Sequence, residues 1–367
     1  MPEGLPQANQ GSVNQMATFK PSWILYGATG YTGRMVAQAA KARGHNVILA
    51  GRDEARLSKL ASDLGAPFRV FDMANRDTID KGLGGVRLVL NCAGPFSLTA
   101  STLAQASLRT GAHYLDISSE VADHRVVQRL DERARESGVM LLPGVGFGIL
   151  PSDCLAHFLK EKLPEAVTLT LAFCAGVGTS HGTLVTLLES LQQTGFVRRS
   201  GQLVAAEPAS ESRTIDFGPG GEKRAVLFPW RADVLSAGLS TAIPHIQSYA
   251  AVPVLMRLIL KNRARFESGF LRGLLERWVA RVPDGPKPAA RAKRKSWLYG
   301  EVVNEIGNRV RAVVEGPDPY DFTVLAALAA VERSLSGQVP DGFVTPAQLL
   351  GSVPLNTLPG VTVRVLS

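Results

Sequence analysis

From residue 22 onwards, short apolar runs alternate with stretches in which apolar residues recur at helical spacing. The apolar runs predict buried strands, and the 3.6-residue period predicts amphipathic helices. The predicted strands cover 22–26, 46–52, 68–73, 86–96, 113–118 and 139–148, and the predicted helices cover 32–43, 53–65, 99–110 and 122–137. Because such alternation is typical of a parallel sheet covered on both faces, residues 22–150 are predicted to form a doubly wound α/β domain.

The pattern changes after residue 150. Longer, partly alternating strands now dominate, and helices intervene only occasionally. This pattern predicts an inserted α+β domain over 151–318 with a mixed or antiparallel sheet. An alanine-rich helix over 320–335 opens a final segment, 319–367, which we expect to pack back on the first domain. The polar residues 1–21 are expected to form a flexible leader.

A glycine-rich stretch, ILYGATGYTGR (24–34), follows the first predicted strand and opens the first helix. Gly27 permits a tight turn, Gly30 permits close approach of a pyrophosphate, and Gly33 permits close helix packing, while the helix N-terminus offers N–H groups to the phosphates. An isolated glycine turn would be weak evidence, but the strand–turn–helix context is that of a Rossmann-type dinucleotide site. The predicted contributors also include Thr29.

The end of the second strand indicates which dinucleotide is bound. An NAD site places an acidic residue there, whereas this chain has Gly51 followed by Arg52. Because Arg52 can make a bidentate contact with a 2′-phosphate, we predict NADPH/NADP; a surface ion pair is the other interpretation of Arg52. The fourth strand ends on the same edge of the sheet, where NCAGPF brings further predicted cofactor contacts from Cys92, Ala93, Gly94, Pro95 and Phe96. For Phe96 a plain strand-to-helix turn is an equally good explanation.

Composition narrows the class of protein. The 367 residues are 45% hydrophobic, with no uninterrupted apolar run long enough to span a membrane, so a cytoplasmic globular protein of two domains is expected. The three cysteines stand in apolar contexts without a CxxC pair, and we therefore expect neither disulfides nor a metal site. The sequence has no HExxH, GxSxG or P-loop motif, and this excludes the corresponding hydrolase and kinase classes.

The formal net charge of +8 is concentrated in one segment. Residues 256–295 carry 12 Lys and Arg against 3 Asp and Glu, so this segment alone contributes +9. Within the basic helical segment 254–297, three interpretations stay open: peripheral association with a membrane surface, docking of an acidic carrier protein, or a packed helical pair with a basic outer face. No nucleic acid partner is expected, because no recognition motif accompanies the charge.

Several strings together resemble the saccharopine dehydrogenase-like oxidoreductase family, in particular its short bacterial branch of trans-acting enoyl reductases. They are GATGYTGR (27–34), AGRDEARLSKL (50–60), NCAGPF (91–96), GAHYLDISSE (111–120), GVGFGILPSD (144–153), GPDPYDFTVLAALAA (316–330) and GFVTPAQLLG (342–351). The resemblance covers most of the chain. It implies an NADPH-binding Rossmann domain, an inserted mixed sheet that often forms a dimer interface, reductase activity, and contributions from Tyr31, Thr32 and Arg34 at the helix start.

The chain departs from that family pattern twice. Ser119 stands where the family usually has glycine, and Gly148 and Ile149 stand where it usually has an Asp-Ser pair. Both departures lie on the expected active-site edge, so the substrate does not follow from the resemblance.

The predicted catalytic residues are Tyr114, Asp116 and His181. The resemblance places Tyr114 and Asp116 near the nicotinamide, where Tyr114 or a water held by Asp116 would supply a proton; Ser118 is assigned to the cofactor. The other interpretation is that Asp116 and Ser118 cap the helix near 122. His181 would face the cleft as an acid, although a histidine in such a place is more often a helix cap or an exposed residue. No Tyr-x-x-x-Lys motif is present, which excludes the short-chain dehydrogenase mechanism.

These observations predict an NADPH-dependent reductase of a C=C or C=N bond in a largely apolar, small-molecule or acyl-carrier-bound substrate, in a protein expected to be a homodimer. Carrier-bound or lipid-like acyl groups suit the apolar VGFGIL edge better than an amino acid does. Two alternatives stay open, namely an imine reductase of the saccharopine type and a non-catalytic NADPH-binding protein.

Overall fold

The computed structural model describes residues 22–175 and 180–366, so the predicted leader 1–21 lies outside the described residues. The first lobe alternates strands and helices: β1 (Trp23–Tyr26), α1 (Tyr31–Ala42), β2 (Val47–Gly51), α2 (Glu54–Leu64), β3 (Phe68–Val70), α3 (Arg76–Leu83), β4 (Leu88–Asn91), α4 (Phe96–Thr110), β5 (His113–Asp116), α5 (Val121–Gln128), α6 (Asp131–Glu136) and β6 (Met140–Leu142).

The second lobe and the C-terminal segment follow. Their elements are α7 (Leu150–Lys162), β7 (Thr168–Ala175), α8 (His181–Ser190), β8 (Gly195–Arg199), β9 (Gln202–Ala206), β10 (Ser212–Asp216), β11 (Glu222–Leu227), α9 (Asp233–Thr241), β12 (His245–Ala251), α10 (Val254–Lys261), α11 (Gly269–Val279), α12 (Pro288–Arg291), β13 (Lys295–Val303), β14 (Arg309–Pro317), α13 (Pro319–Leu335), β15 (Gly342–Phe343), α14 (Pro346–Leu350), α15 (Pro354–Thr357) and β16 (Thr362–Leu366).

The first sheet is entirely parallel, with the strand order β15-β6-β5-β4-β1-β2-β3. The part 3-2-1-4-5-6 is the Rossmann order, which confirms the doubly wound fold. The strands are shorter than the apolar runs: β4 ends at Asn91 and β6 at Leu142, and the remaining residues form loops at the carboxyl edge of the sheet. These loops carry the predicted site.

The predicted helix over 122–137 is two helices, α5 and α6, which are separated at Arg129 and Leu130. Neither glycine nor proline occurs within 122–137, so the sequence contains no local signal for this break.

The second sheet is mixed, as predicted. Its order is β10-β11-β12-β7-β13-β14-β16, with β8 pairing with β12 and β9; β12 and β7 run parallel and the other pairs are antiparallel. Helix α7 packs on β13, where the close approach of Leu155 and Leu159 to Gly300 leaves no space for a side chain. One apolar cluster runs from the first sheet through α7 to the second, so the two lobes share a core.

The C-terminal segment is divided between the lobes. Helix α13 packs on the first lobe, where Glu332 contacts both Arg43 and His45 at 3.1 Å, and β15 extends the first sheet beside β6. By contrast, β16 pairs with β14 in the second sheet, which differs from the expectation that the whole segment returns to the first lobe. This strand is the last in the order of the second sheet and therefore lies at its edge.

Candidate cofactor site and active-site edge

The glycine loop connects β1 to α1 and is too tightly packed to admit side chains at two positions. Gly27 has φ +79°, and a Cβ there would lie 2.7 Å from the backbone nitrogen of Ala93. A Cβ on Gly33 would overlap the carbonyl oxygen of Gly27, while the N–H of Gly30 donates to that same oxygen at 3.0 Å. The loop therefore leaves an open backbone surface at the sheet edge, which is the requirement for a bound pyrophosphate.

Helix α1 begins directly beside this surface. Its N-cap, Gly30, provides no side-chain cap, so no side chain competes with a phosphate for the N–H groups of the first turn around Tyr31, Thr32 and Gly33. The turn also contains no acidic residue. The carbonyl oxygen of Thr29 accepts from Arg34 at 2.8 Å, and this bond places a guanidinium beside the loop.

The segment after β4 borders the same crevice. The N–H of Cys92 donates to the carbonyl oxygen of Tyr26 at 2.8 Å, so the loops after β1 and β4 lie side by side. Gly94 is exposed, while Ala93, Pro95 and Phe96 are half-buried, with Phe96 as the first residue of α4. The crevice between β1 and β4, where the strand order reverses, is where open α/β sheets bind ligands.

Arg52 lies at the carboxyl end of β2 with its side chain exposed. Within residues 22–175 and 180–366 it makes neither a hydrogen bond nor an ion pair, unlike Lys59, which pairs with Asp63 at 3.2 Å. The surface ion pair considered for Arg52 is therefore not found among the described residues. Arg34 and Arg56 both approach the carbonyl oxygen of Thr29, at 2.8 and 3.4 Å, so the mouth of the site is positively charged.

At the end of β5, the fully buried Asp116 is the centre of a hydrogen-bond network. It accepts from the Tyr114 hydroxyl at 2.7 Å, from the N–H and the hydroxyl of Ser118 at 2.8 and 2.6 Å, and from the N–H of Gly144 at 3.0 Å. The carboxylate thus joins the loops after β5 and β6. The alternative that it caps the following helix is wrong, because α5 begins after Glu120 and has no side-chain cap.

Tyr114 is itself fully buried, and burial together with the neighbouring Asp116 raises its hydroxyl pKa well above the usual value. A hydroxyl that already donates to a carboxylate is a weak acid. Ser118 is also buried, and its hydroxyl is directed to Asp116. The structure therefore brings Tyr114, Asp116 and Ser118 together, in an arrangement that primarily fixes the shape of the edge.

His181 is not part of this network. Its Nδ1 atom lies 2.9 Å from the carbonyl oxygen of Val279, and the ring lines a groove of about 210 Å³ whose lining residues all belong to the second lobe. Helix α8 nevertheless begins close to the glycine loop, since the Ser180 N–H donates to the hydroxyl of Tyr320, whose ring contacts Tyr31 at 5.1 Å.

A buried ion pair of the second lobe lies at this edge and holds the loop after β6, and sequence reasoning missed it. Arg231 and Asp233 are 6% and 1% exposed, with Nε donating to a carboxylate oxygen at 2.5 Å. Asp233 also accepts from Ser152 and Ser248, while the Arg231 guanidinium donates to the carbonyl oxygen of Gly148. The string PWRAD carries no motif that would reveal this role.

The two departures from the family pattern meet in space. A Cβ on Gly148 would lie 2.6 Å from the Cβ of Ser119, so the serine occupies the space that a side chain at 148 would need. The Ser119 hydroxyl donates to Glu120 at 2.8 Å, and its carbonyl oxygen accepts from the N–H of Ala232 in the second lobe. The sequence showed both departures, but not that they are in contact.

Asp123, in the first turn of α5, is a buried carboxyl that sequence reasoning did not single out. It is 7% exposed, and burial, with the negative charges of Glu120, Asp116 and Glu189, raises its pKa to about 8. Burial also raises the pKa of Glu120. Asp123 is therefore mainly protonated at neutral pH, as a general acid must be.

The end of the basic segment covers the glycine loop. The Tyr31 hydroxyl donates to the carbonyl oxygen of Pro286 at 2.5 Å and accepts from Arg291 at 2.7 Å, and Gly285 packs on the tyrosine ring. Arg34 lies 3.6 Å from Asp284. The second lobe thus reaches the predicted phosphate site.

Residues 22–175 and 180–366 offer neither a candidate metal site nor a candidate membrane-spanning helix. They contain no group of three or more His, Cys, Asp or Glu arranged to hold a metal ion. They also contain no helix with the length and apolar character needed to cross a bilayer.

The first lobe and the full chain both have known relatives. Residues 23–142 match the saccharopine dehydrogenase NADP-binding domain family. The trans-acting enoyl reductase of Mycobacterium bovis is 25% identical over 93% of this chain and 96% of its own length. The lipid droplet localized protein of Caenorhabditis elegans is 26% identical over 46% of this chain, a match that spans 44% of the worm protein.

Among solved structures, the apo saccharopine dehydrogenase (L-Glu forming) of Saccharomyces cerevisiae superimposes with a TM-score of 0.63, covering 95% of this chain and all of the yeast protein at 12% identity. This match confirms the fold, including the second lobe. The open glycine cradle and the exposed Arg52 fit an NADP dinucleotide. Residues 23–142 therefore resemble the saccharopine dehydrogenase NADP-binding domain, and the chain is an NADP-dependent oxidoreductase that is similar over most of its length to the mycobacterial trans-acting enoyl reductase.

Proposed function

We propose that the protein transfers a hydride from NADPH to the C=C bond of an enoyl group in a largely apolar acyl substrate. The observation that carries this choice is the chemistry of the loop between β6 and α7. Residues 145–150 carry no charged side chain, and the arginine that reaches this loop, Arg231, is paired with Asp233. An amino-acid substrate would need a free cation for its carboxylate. The name of the mycobacterial relative supports the same class of reaction.

The cofactor would supply the hydride when bound, and the protein would supply orientation and a proton. The glycine loop and Arg52 would hold the phosphates, and Phe96 would border the nicotinamide. We assign to Tyr114 and Asp116 the task of fixing the loops after β5 and β6 at the nicotinamide end. The proton would come from an acid at this edge, and Asp123 has the protonation state that this role needs.

The pH dependence of kcat distinguishes Asp123 from Tyr114 as the acid. If Asp123 is the proton donor, kcat falls as the pH rises through about 8, and Asp123→Asn lowers kcat by about 100-fold. Tyr114→Phe serves as the comparison, because it removes the hydroxyl that donates to Asp116. A larger loss for Tyr114→Phe, with an unchanged pH profile in Asp123→Asn, would assign the proton to the tyrosine.

The choice between C=C and C=N is tested by following NADPH oxidation with enoyl thioesters of increasing chain length and with imines formed from amino acids and 2-oxo acids. We expect turnover of the enoyl thioesters, with KM falling as the acyl chain lengthens. Turnover of the imines alone would favour the saccharopine-type alternative. Tight NADPH binding without turnover of either set would favour the non-catalytic alternative.

Three further proposals concern partners and location. A carrier-bound acyl chain would be reduced faster than the same chain on a small thiol if an acidic carrier protein docks on the enzyme. A homodimer, expected from the inserted sheet, is tested by sedimentation velocity. For location we propose the cytoplasm with peripheral membrane association, to which the lipid-droplet name of the worm relative adds support.

A further inference from the structure

Helices α10 and α11, joined through the short 3-10 turn Arg263–Arg265, lie on the outside of the second lobe. Their inner sides pack against α8 in one apolar cluster. Met256 and Leu260 come from α10, Val279 comes from α11, and Leu184 and Leu188 come from α8. Because both helices bury their inner sides in the same cluster, their outer sides face away from it and into solvent.

The outer sides are also apolar. We call them the α10–α11 surface, formed by seven large side chains that are between 39% and 79% exposed: Val254, Leu255, Leu258, Phe270, Leu271, Leu274 and Trp278. On each helix they recur three or four residues apart, which places them on one stripe. Single exposed apolar residues are ordinary on a protein surface, whereas apolar stripes on two consecutive helices indicate an interaction site.

The charges beside these stripes are positive. Lys261, Arg265, Arg277 and Arg281 are exposed, and none of the four forms an ion pair with a carboxylate of the described residues. The acids of the two helices and their connection are neutralised, because Glu267 pairs with Arg263 and Glu276 pairs with Arg272. Exposed cations therefore lie at or just beyond the C-terminal end of each helix that carries an apolar stripe.

Charge complementarity excludes a second copy as the natural occupant. In a two-fold symmetric contact each surface would meet itself, and the unpaired arginines would then face arginines. A partner must instead present negative charge and also cover Phe270, Leu274 and Trp278. Anionic lipid headgroups above an acyl layer meet both requirements. The helices, of 8 and 11 residues, are too short to span a bilayer but suit its interface.

We propose that the α10–α11 surface docks the protein on an anionic lipid surface, with the apolar stripes among the acyl chains and the four cations at the headgroups. The proposal goes beyond the reaction and does not depend on which bond is reduced. It connects the membrane contact to the predicted cofactor loop, because the chain that leaves α11 continues to Pro286 and Arg291, which hold Tyr31 of the glycine loop.

Trp278 provides a built-in probe, because it is 55% exposed, while Trp23 and Trp230 are buried and Trp297 is half-buried. The full-length protein is titrated with phosphatidylcholine vesicles that contain phosphatidylserine, and with vesicles of phosphatidylcholine alone. We expect a blue shift of tryptophan emission and co-sedimentation with the anionic vesicles only, both weakened by salt. The shift should be absent in Trp278→Phe.

Two pairs of variants separate the apolar contact from the charge contact. Phe270→Ser should weaken vesicle binding by about tenfold, whereas its matched control Ile306→Ser, at a side chain 82% exposed in the β13–β14 turn, should not change it. Arg277→Glu should weaken binding by roughly tenfold, and the control Arg364→Glu, at an exposed position on β16, should weaken it much less.

Three results would overturn the proposal. The first is equal binding of neutral and anionic vesicles, or none. The second is a blue shift of Trp278 emission that depends on protein concentration without lipid, which would assign the surface to a second copy. The third is binding of an acidic carrier protein that Phe270→Ser abolishes while vesicle binding is absent. Circular dichroism of each variant verifies that it is folded.

Discussion

The glycine loop and the junction at Arg231 both shape the cofactor edge, but they do so by opposite means. The glycine loop works through absent side chains, because Gly27 and Gly33 allow backbone segments to touch. The junction works through buried charge, because Arg231 and Asp233 tie the loop at Gly148 to the second lobe. The comparison teaches that backbone geometry shapes the loop proposed to hold the phosphates, whereas paired charges hold the loop proposed to face the substrate.

The largest effect is expected at the glycine loop. Gly33→Ala introduces a Cβ that overlaps the carbonyl oxygen of Gly27. The backbone at residue 27 follows β1 and the backbone at residue 33 belongs to α1, so relieving this overlap would displace one of these elements. We expect NADPH binding to be lost and the free energy of unfolding to fall by about 3 kcal/mol. Calorimetric titration and urea unfolding measure these effects.

The control is Gly273→Ala in α11, where a Cβ meets nothing within 4 Å and φ is not positive. It should leave NADPH binding unchanged and should not lower stability, because alanine favours helix. Equal behaviour of the two variants would mean that the loop is not packed as described.

The next largest effect is expected at the junction. Arg231→Met leaves the carboxylate of Asp233 buried without its cation, so the free energy of unfolding should fall by about 3–5 kcal/mol. Lys59→Met, which breaks an exposed pair with Asp63, should change it by less than about 1 kcal/mol. Urea unfolding curves check both values.

The double variant Arg231→Met/Asp233→Leu sharpens this result. Removing both charges relieves the uncompensated carboxylate, and much of the lost stability should return. Activity should nevertheless stay low, since the tie to the carbonyl oxygen of Gly148 is gone. A double variant no more stable than Arg231→Met would contradict the assignment of the loss to the buried charge.

A smaller effect is expected from Asp123. Its folded pKa of about 8 lies above the ordinary value of 3.8, so the folded state holds a proton that the unfolded state releases. Stability should therefore fall as the pH rises from about 4 to about 8. Asp123→Asn should remove this dependence and raise the free energy of unfolding near pH 8 by on the order of 2 kcal/mol.

Urea unfolding over this pH range tests the Asp123 prediction, with Glu136→Gln, at an exposed position in α6, as the control. The control should keep the slope of the wild-type protein. If Asp123→Asn kept that slope as well, the carboxyl would not carry the proton assigned to it.

The first lobe could be predicted from the sequence because its signals are local. Continuous apolar strands, the spacing of Gly27, Gly30 and Gly33, and Arg52 at a strand end each lie within a few residues of one another. The role of Arg231 could not be predicted, because its partners Gly148 and Ser152 are about 80 residues away in the chain. The same holds for His181, whose contact with Val279 depends on how α11 packs.

The residues at the end of β5 could be predicted only in part. The sequence predicted that Tyr114, Asp116 and Ser118 lie together at one strand end, as they do in the structure. The hydrogen bond from the Gly144 N–H to Asp116, which makes this carboxylate join two loops, spans 28 residues and has no local signal in the sequence. The sequence did not indicate Asp123, because its raised pKa arises from burial and from the negative charges of Glu120, Asp116 and Glu189, not from a motif.

The central claim, that the edge beside the glycine loop holds NADP through Arg52, is tested most directly by calorimetric titration of NADPH and NADH. The two are compared for the wild-type protein, for Arg52→Ala and for the control Lys59→Ala. The wild-type protein and the control should prefer NADPH, and Arg52→Ala should weaken NADPH binding by about 2 kcal/mol while leaving NADH binding nearly unchanged. A preference for NADPH that survives Arg52→Ala, or no preference in the wild-type protein, would contradict the account.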